Sequence, residues 1–154
     1  MSPRPPSAPY GARARQRGVS LLEVMISVLV LAIGLLGIAA MQALALRGGQ
    51  SSLESSQAVM QSISIVEAMR ANRPAAASYA IAMTCTPGSA GSLVQNDLRN
   101  WITDIKATMG VADDTTSCGQ VQALGGDNYR ITVQWDDQRA GGASNRQVVT
   151  EVRL

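Results

Sequence analysis

The chain has 154 residues, enough for one small domain and a membrane anchor, and its formal net charge is +2. It contains no histidine, no phenylalanine, two tryptophans and three tyrosines, so it lacks the commonest general base and metal ligand and has few surfaces for stacking bases or sugars. Without residues 1–18 it would keep nine basic and eleven acidic side chains, and no basic cluster indicates nucleic-acid binding.

The N-terminal segment, residues 1–18, combines early prolines and small residues with Arg4, Arg13, Arg15 and Arg17. This composition predicts a disordered cytoplasmic segment. Arginines resist transfer across a membrane, so we expect the N-terminus to stay in the cytoplasm and the bulk of the chain to lie on the other side.

Residues 18–41 are almost wholly apolar and contain a single acid, Glu23. Because about 20 apolar residues span the hydrocarbon core of a bilayer, we predict a transmembrane helix. Residues 19–46 would form the membrane-spanning and assembly half of a longer helix. A carboxylate in lipid costs about 2.5–3.5 kcal/mol on insertion scales, so Glu23 predicts a function and a positively charged partner.

The block Arg17–Val24 resembles the processing site of class III signal peptides, which occur in type IV pilins and in type II secretion pseudopilins. The resemblance implies that a prepilin peptidase cleaves after Gly18, so that residues 1–18 are a leader peptide. It implies that the new N-terminal residue, Val19, is N-methylated. It also implies that Glu23 pairs with the N-terminal amine of a neighbouring subunit and guides assembly.

Two other interpretations of the apolar stretch stay open. One is an ordinary single-pass anchor with an incidental glutamate. The other is a secretory signal peptide, cleaved at the small-residue site Ala43-Leu44-Ala45. The apolar run is longer than the usual core of such a signal, about 7–15 residues, and a signal peptide has no use for Glu23.

The helix is predicted to continue beyond the membrane, because residues 42–73 contain no proline and Pro74 then ends it. Gly48-Gly49 weakens it by about 1 kcal/mol per residue, and Ser51 and Glu54 have the spacing of a capping box. A hinge near Gly48 and an unbroken helix are both open. Apolar side chains at helical spacing predict one packed stripe, formed by Val59, Ile63, Val66 and Met69 and flanked by Leu53 and Met60.

Cys85 and Cys118 both lie beyond the membrane segment. If that side is periplasmic, it is oxidising, and we expect a structural disulfide between them. On the chain-entropy argument the closed loop would contribute roughly 4 kcal/mol. Their spacing is not that of a redox or metal pair, and we expect no metal and no other cofactor.

A second helix is predicted after a loop over residues 74–92. Ser92 and Gln95 have the spacing of a capping box and Gly110 marks the end. The apolar side chains between them recur at helical spacing, at Val94, Leu98, Trp101, Ile105 and Met109. We expect Asp113-Asp114 to be a solvated turn, because a Ca²⁺ site needs six to eight oxygen ligands.

Three strands are predicted in the C-terminal part. Residues 120–124 are short and alternately apolar, residues 129–135 alternate over a full strand, and residues 148–154 alternate again. They predict a small antiparallel sheet with one face on the long helix. We expect the disulfide to tie the region of the second helix to the first edge of this sheet. The predicted class is α+β, and the pilin resemblance implies the same layout, with residues 47–154 as a periplasmic head.

The run Met69-Arg70-Ala71-Asn72-Arg73 resembles the end of the first helix in PilV-type minor pilins. Together the resemblances imply a minor pilin of a type IV pilus, made in the bacterial inner membrane and then displayed on the cell surface. The implied partners are prepilin peptidase, other minor and major pilins and the inner membrane. The implied roles are assembly or priming of the pilus and cell adhesion. A minor pseudopilin of a type II secretion system is the alternative.

We expect the protein not to be an enzyme. The sequence has no histidine, no nucleophile elbow and no phosphate-binding glycine loop. We accordingly expect no small-molecule substrate.

Overall fold

The computed structural model of the protein describes residues 18–154. The predicted leader peptide, with its four arginines, therefore lies outside the described residues except for Gly18. Internal contacts divide the chain into two compact units, of which the first ends at Met41 and the second comprises Gln42–Leu154. We call the second unit the head.

Helix α1 covers Leu21–Ala71 and is unbroken at Gly48 and Gly49. Of the two interpretations of the glycine pair, the structure therefore has the continuous helix and not the hinge. A 3₁₀ turn over Arg73–Tyr79 follows, with Pro74 at its start. This placement agrees with the inability of proline to continue an α-helix.

The rest of the head contains four strands and one further α-helix, namely β1 (Ile81–Thr84), α2 (Leu93–Met109), β2 (Cys118–Gly125), β3 (Asn128–Trp135) and β4 (Arg146–Arg153). The strands form one antiparallel sheet in the order β1-β2-β3-β4. A long apolar N-terminal helix with a small antiparallel sheet is the α+β, pilin-like layout that the sequence predicts, and the fold class is confirmed.

Strand β1 corrects the prediction of a loop over residues 74–92, so that the sheet has four strands and not three. The strand is only four residues long, and its register with β2 shifts between Ile81 and Thr84. This bulge places two residues of β1 opposite one residue of β2. The short strand therefore lacks the period-two pattern by which the other strands are recognised.

The buried side of α1 differs from the predicted apolar stripe. Val66 and Met69 are buried as predicted, but Val59 and Ile63 are 43% and 53% exposed. The packed side also includes small and polar residues, which give its full membership as Glu54, Ala58, Ser62, Ile65, Val66 and Met69. Small side chains let the helix backbone approach the core closely, and Trp101 Nε1 donates a hydrogen bond to the Gln61 carbonyl at 2.9 Å.

Helix α2 begins with the predicted capping box. Ser92 Oγ accepts a hydrogen bond from the Gln95 N–H, and Gln95 Oε1 accepts one from the Ser92 N–H at 2.8 Å. The helix ends before Gly110 and buries Trp101, Ile105 and Met109, as its spacing predicts. These side chains pack on the core side of β3, where Tyr129, Ile131, Val133 and Trp135 are at most 4% exposed.

Gly119 in β2 lies directly beneath α2. A Cβ at this position would be 2.6 Å from two ring carbons of Trp101 and 2.8 Å from Ile102 Cδ1. We expect Gly119→Ala to lower the free energy of unfolding by about 1–3 kcal/mol through overpacking of the core. The measurement is thermal unfolding of the full chain in detergent. The near-UV circular dichroism of the tryptophans monitors the unfolding.

Gly88→Ala is the control, because nothing lies within 4 Å of its Cβ position. We expect its unfolding midpoint to equal that of the unmodified chain. Equal midpoints for the two alanine variants would contradict the close packing of α2 on β2.

Candidate processing, assembly and disulfide sites

The peptide bond between Gly18 and Val19 lies in an open, non-helical stretch. Residues 18–20 precede the helix, and the first intrahelical contact is the hydrogen bond from the Val24 N–H to the Ser20 carbonyl at 3.2 Å. Nothing lies within 4 Å of a Cβ at Gly18, and Val19 is 69% exposed. An enzyme that acts on this bond would therefore meet no steric barrier from the described chain.

Glu23 lies in the first turn of α1 and is exposed. Ser27 Oγ donates a hydrogen bond to the backbone carbonyl of Glu23 at 2.7 Å. Within residues 18–154, none of the ion pairs involves its carboxylate. An acid in the first turn is favourable for the helix dipole.

The first unit exposes an unusually apolar helix surface. The most apolar 18-residue window of α1 has a mean hydropathy of 2.7 and is not buried at all. Large apolar side chains between Leu21 and Met41 are 49–80% exposed. Burying each one contributes roughly 1.5–3 kcal/mol, so this surface needs lipid or other apolar helices. By length and composition, α1 can cross a membrane.

A disulfide joins Cys85 to Cys118. Cys85 directly follows β1 and Cys118 begins β2, so the bridge links two neighbouring strands. The pairing of these two cysteines is as predicted. The expectation that the bridge ties the region of the second helix to the first edge of the sheet is wrong, because Cys85 follows strand β1, which that expectation lacked. The bridge instead fixes the short edge strand to the sheet.

The loop between α2 and β2 is organised by Asp114. Its carboxylate accepts hydrogen bonds from the backbone N–H groups of Val111, Thr116 and Ser117 at 2.8, 2.9 and 2.6 Å. The buried ammonium of Lys106 contacts the Asp114 carbonyl and lies 3.6 Å from its carboxylate. The prediction of a solvated turn is thus wrong for Asp114, because the loop folds around this side chain.

These surroundings shift the pKa of Asp114. Burial favours the protonated form, but the hydrogen bonds from the Ser117, Val111 and Thr116 N–H groups outweigh it and hold the pKa well below its ordinary value. The ionised carboxylate therefore stabilises the folded head at neutral pH.

A second polar cluster joins α1 to the adjacent ends of β3 and β4. Trp135 Nε1 donates to Glu54 Oε2 at 3.0 Å. Ser51 Oγ and Arg146 Nη1 donate to Asp137 Oδ2 at 2.9 and 2.6 Å, and the Arg146 guanidinium lies 5.9 Å from the Trp135 ring centroid. We call these five residues the polar clamp. Ser51 and Glu54 hold the helix to the sheet and do not cap a restarted helix.

The sequence-predicted sites lie in different units of the chain. Gly18, Val19 and Glu23 lie together at the start of α1, and the disulfide lies in the head. Among residues 18–154, no group of three or more histidine, cysteine or acidic side chains could hold a metal ion. Sequence reasoning missed the polar clamp, because its members are up to 95 residues apart in the chain.

Comparison with known proteins gives information on the site that contains Gly18, Val19 and Glu23. Residues 13–39 match the family described as the prokaryotic N-terminal methylation motif. The matched residues include Gly18, Val19 and Glu23, so the chain carries the motif of prepilin-type, type IV pilin-like proteins. The motif implies processing by prepilin peptidase and assembly with other pilins in a membrane. No curated protein and no solved structure matches the chain.

The shifted pKa of Asp114 generates a pH-dependent prediction. At pH 7 we expect Asp114→Asn to lower the free energy of unfolding by about 1–3 kcal/mol, because backbone donors lose a charged acceptor. The stabilisation exists above the ordinary aspartate pKa of about 3.9 and is lost as the pH falls further toward the folded-state pKa. The difference in the free energy of unfolding between Asp114→Asn and the unmodified chain should therefore be smaller at a pH of about 3 than at pH 7.

Thermal unfolding of both full-length chains in detergent at the two pH values measures this difference. Asp113→Asn is the control, because the neighbouring Asp113 side chain is exposed and should change the midpoint little. A difference for Asp114→Asn that is the same at both pH values would contradict the assigned role of its ionised form.

Proposed function

We propose that the protein is a minor pilin of a type IV pilus, processed by prepilin peptidase and incorporated through its N-terminal helix. The observation that carries the proposal is the methylation motif over residues 13–39. Its cleavage position lies in an open stretch, immediately before the exposed apolar part of α1, residues 21–41, which contains one acid, Glu23. In this proposal, processing uses the motif with its open cleavage position, membrane insertion uses the apolar helix and assembly uses the acid.

Cleavage after Gly18 would remove the four arginines that hold the N-terminus in the cytoplasm. The new N-terminus would be Val19, which carries an amine on an apolar residue, and methylation would follow there. The exposed apolar side chains of α1 would then pass from lipid into contact with the helices of other subunits. No cofactor and no turnover are needed, and we propose a structural protein rather than an enzyme.

Glu23 would select the correct neighbour. A carboxylate left alone in lipid costs about 2.5–3.5 kcal/mol, and removing one partner of a buried ion pair is strongly destabilising. The amine of Val19 in an adjacent subunit would supply the counter-charge. Each subunit carries both groups, so the same pairing can repeat along a fibre.

The finer assignment to the PilV type rests on the run from Met69 to Arg73, which closes α1 and enters the next turn. We propose a location in the bacterial inner membrane with the head in the periplasm, followed by display on the pilus. The disulfide between Cys85 and Cys118 supports an oxidising compartment for the head. Other minor and major pilins are the proposed partners. A minor pseudopilin of a type II secretion system shares the same motif and is the alternative.

The experiment that tests the proposal replaces Glu23. We expect Glu23→Gln, which removes the charge and keeps the size, to lower recovery of the protein in sheared surface fibres at least tenfold, with unchanged membrane insertion. The reason is that the glutamine cannot offset the charge of the neighbouring amine. Immunoblots of the fibre and membrane fractions measure both quantities.

Glu67→Gln is the matched control, because Glu67 is an exposed acid on the same helix and pairs with Arg70 at the helix surface. It should leave fibre recovery unchanged. Normal recovery of the Glu23→Gln protein would overturn the assembly proposal. Glu23-dependent recovery from a secretion pseudopilus, with none from pili, would favour the pseudopilin alternative.

A further inference from the structure

The two edges of the head sheet are built differently. β4 is eight residues long and pairs with β3 without a register shift. β1 is four residues long and bulged. Among residues 18–154, no strand pairs with the outer side of either edge. A long, regular and proline-free edge such as β4 is a template for pairing with another strand.

The outward-facing backbone groups of β4 follow from one hydrogen bond. The Leu154 N–H donates to the Asp127 carbonyl at 2.9 Å, and the register pairs Asn128 with Arg153. Hydrogen-bonded and non-hydrogen-bonded pairs alternate in an antiparallel ladder. The N–H and C=O groups of the odd-numbered residues therefore point away from β3, at residues 147, 149, 151 and 153.

Strand direction decides which partner fits this edge. In a sheet of four antiparallel strands the two edge strands run in opposite directions. Within the head, Ser51 contacts Arg146 at the start of β4, and Arg73 contacts Leu154 just after its end, at 2.8 and 2.7 Å. The head portion of α1 therefore runs in the same direction as β4.

We propose that the β4 edge binds β1 of a second copy of this chain that has the same orientation. A copy displaced sideways presents its β1 antiparallel to β4, so one sheet continues into the next while the head portions of the α1 helices stay parallel. A symmetric, antiparallel β4–β4 pair would instead place the head portions of the two α1 helices antiparallel. Copies inserted in one membrane share one topology, which excludes that pair; on this point the inference rests on the proposed function.

The side chains at the two edges are compatible. Val149 lies opposite Thr132, on the side of the sheet away from the core, and is 53% exposed. The bulge places Ala82 and Met83 opposite Gln120 on the same side, and Met83 is 36% exposed. β1 has no charged residue. Pairing would bring two exposed apolar side chains together and bury no unpaired charge.

The contact between two heads is weak because β1 is short. Four paired residues bury far less than the roughly 1,000 Å² that a stable free interface needs. Two heads should therefore associate only when their membrane anchors hold them at high effective concentration. The same weakness prevents the edge from joining freely diffusing chains.

The test uses the full chain in phospholipid vesicles, with the photo-cross-linker p-benzoylphenylalanine in place of Met83. We expect illumination to give a covalent dimer whose cross-linked peptide contains residues 146–153. Val149→Pro removes one outward-facing N–H without touching the β3 ladder, and should reduce the dimer yield at least fivefold. Val149→Ala, which also shortens the side chain but keeps the N–H, should retain most of it.

Circular dichroism of each variant establishes that the head is folded, and illumination in excess detergent should give monomer only. A cross-link to any other segment, no dimer in vesicles, or equal yields for Val149→Pro and Val149→Ala would overturn the proposal. Vesicles contain no peptidase and no fibre, so this result is independent of the Glu23 experiment. If one of these two experiments contradicts its proposal, the result of the other experiment can still be interpreted.

Discussion

The exposed apolar surface at the start of α1 is the constraint that determines which surroundings the chain needs. Its large side chains between Leu21 and Met41 are 49–80% exposed, and water is a poor solvent for them. Lipid covers such a surface in a membrane, and apolar helices cover it in a fibre. Glu23 is the one charged group on this surface, and a carboxylate in lipid is costly without a counter-charge.

In the head the same helix serves a different purpose. Its packed side combines large apolar residues with small and polar ones, of which Ala58 and Ser62 are fully buried. Glu54 accepts a hydrogen bond from the buried Trp135, and the remaining members of the polar clamp hold the neighbouring strand ends. The disulfide and the loop around Asp114 fix the opposite edge of the sheet and the end of α2. These contacts stabilise the head at several points outside its apolar core.

Sequence patterns predicted the features that depend on residues close to one another in the chain. The motif around Gly18 and Glu23, the capping box of α2 and the alternation of β3 each lie within a few residues. The packed side of α1 could be predicted only in part: Val66 and Met69 are buried as expected, but Ala58 and Ser62 are buried for their small size and not for apolarity. Asp114 was missed because its role depends on backbone N–H groups that only the folded loop brings together. Strand β1 was missed because its bulge removes the periodic signal.

Identification of the N-terminal residue of the membrane-extracted protein tests the central claim most directly. The account predicts a chain that begins with methylated Val19 when prepilin peptidase is present, and an uncleaved chain when that enzyme is deleted. A chain that begins at Met1 in both strains would indicate an ordinary anchor and contradict the account. A chain that begins at Leu46 would indicate a secretory signal peptide and contradict it equally.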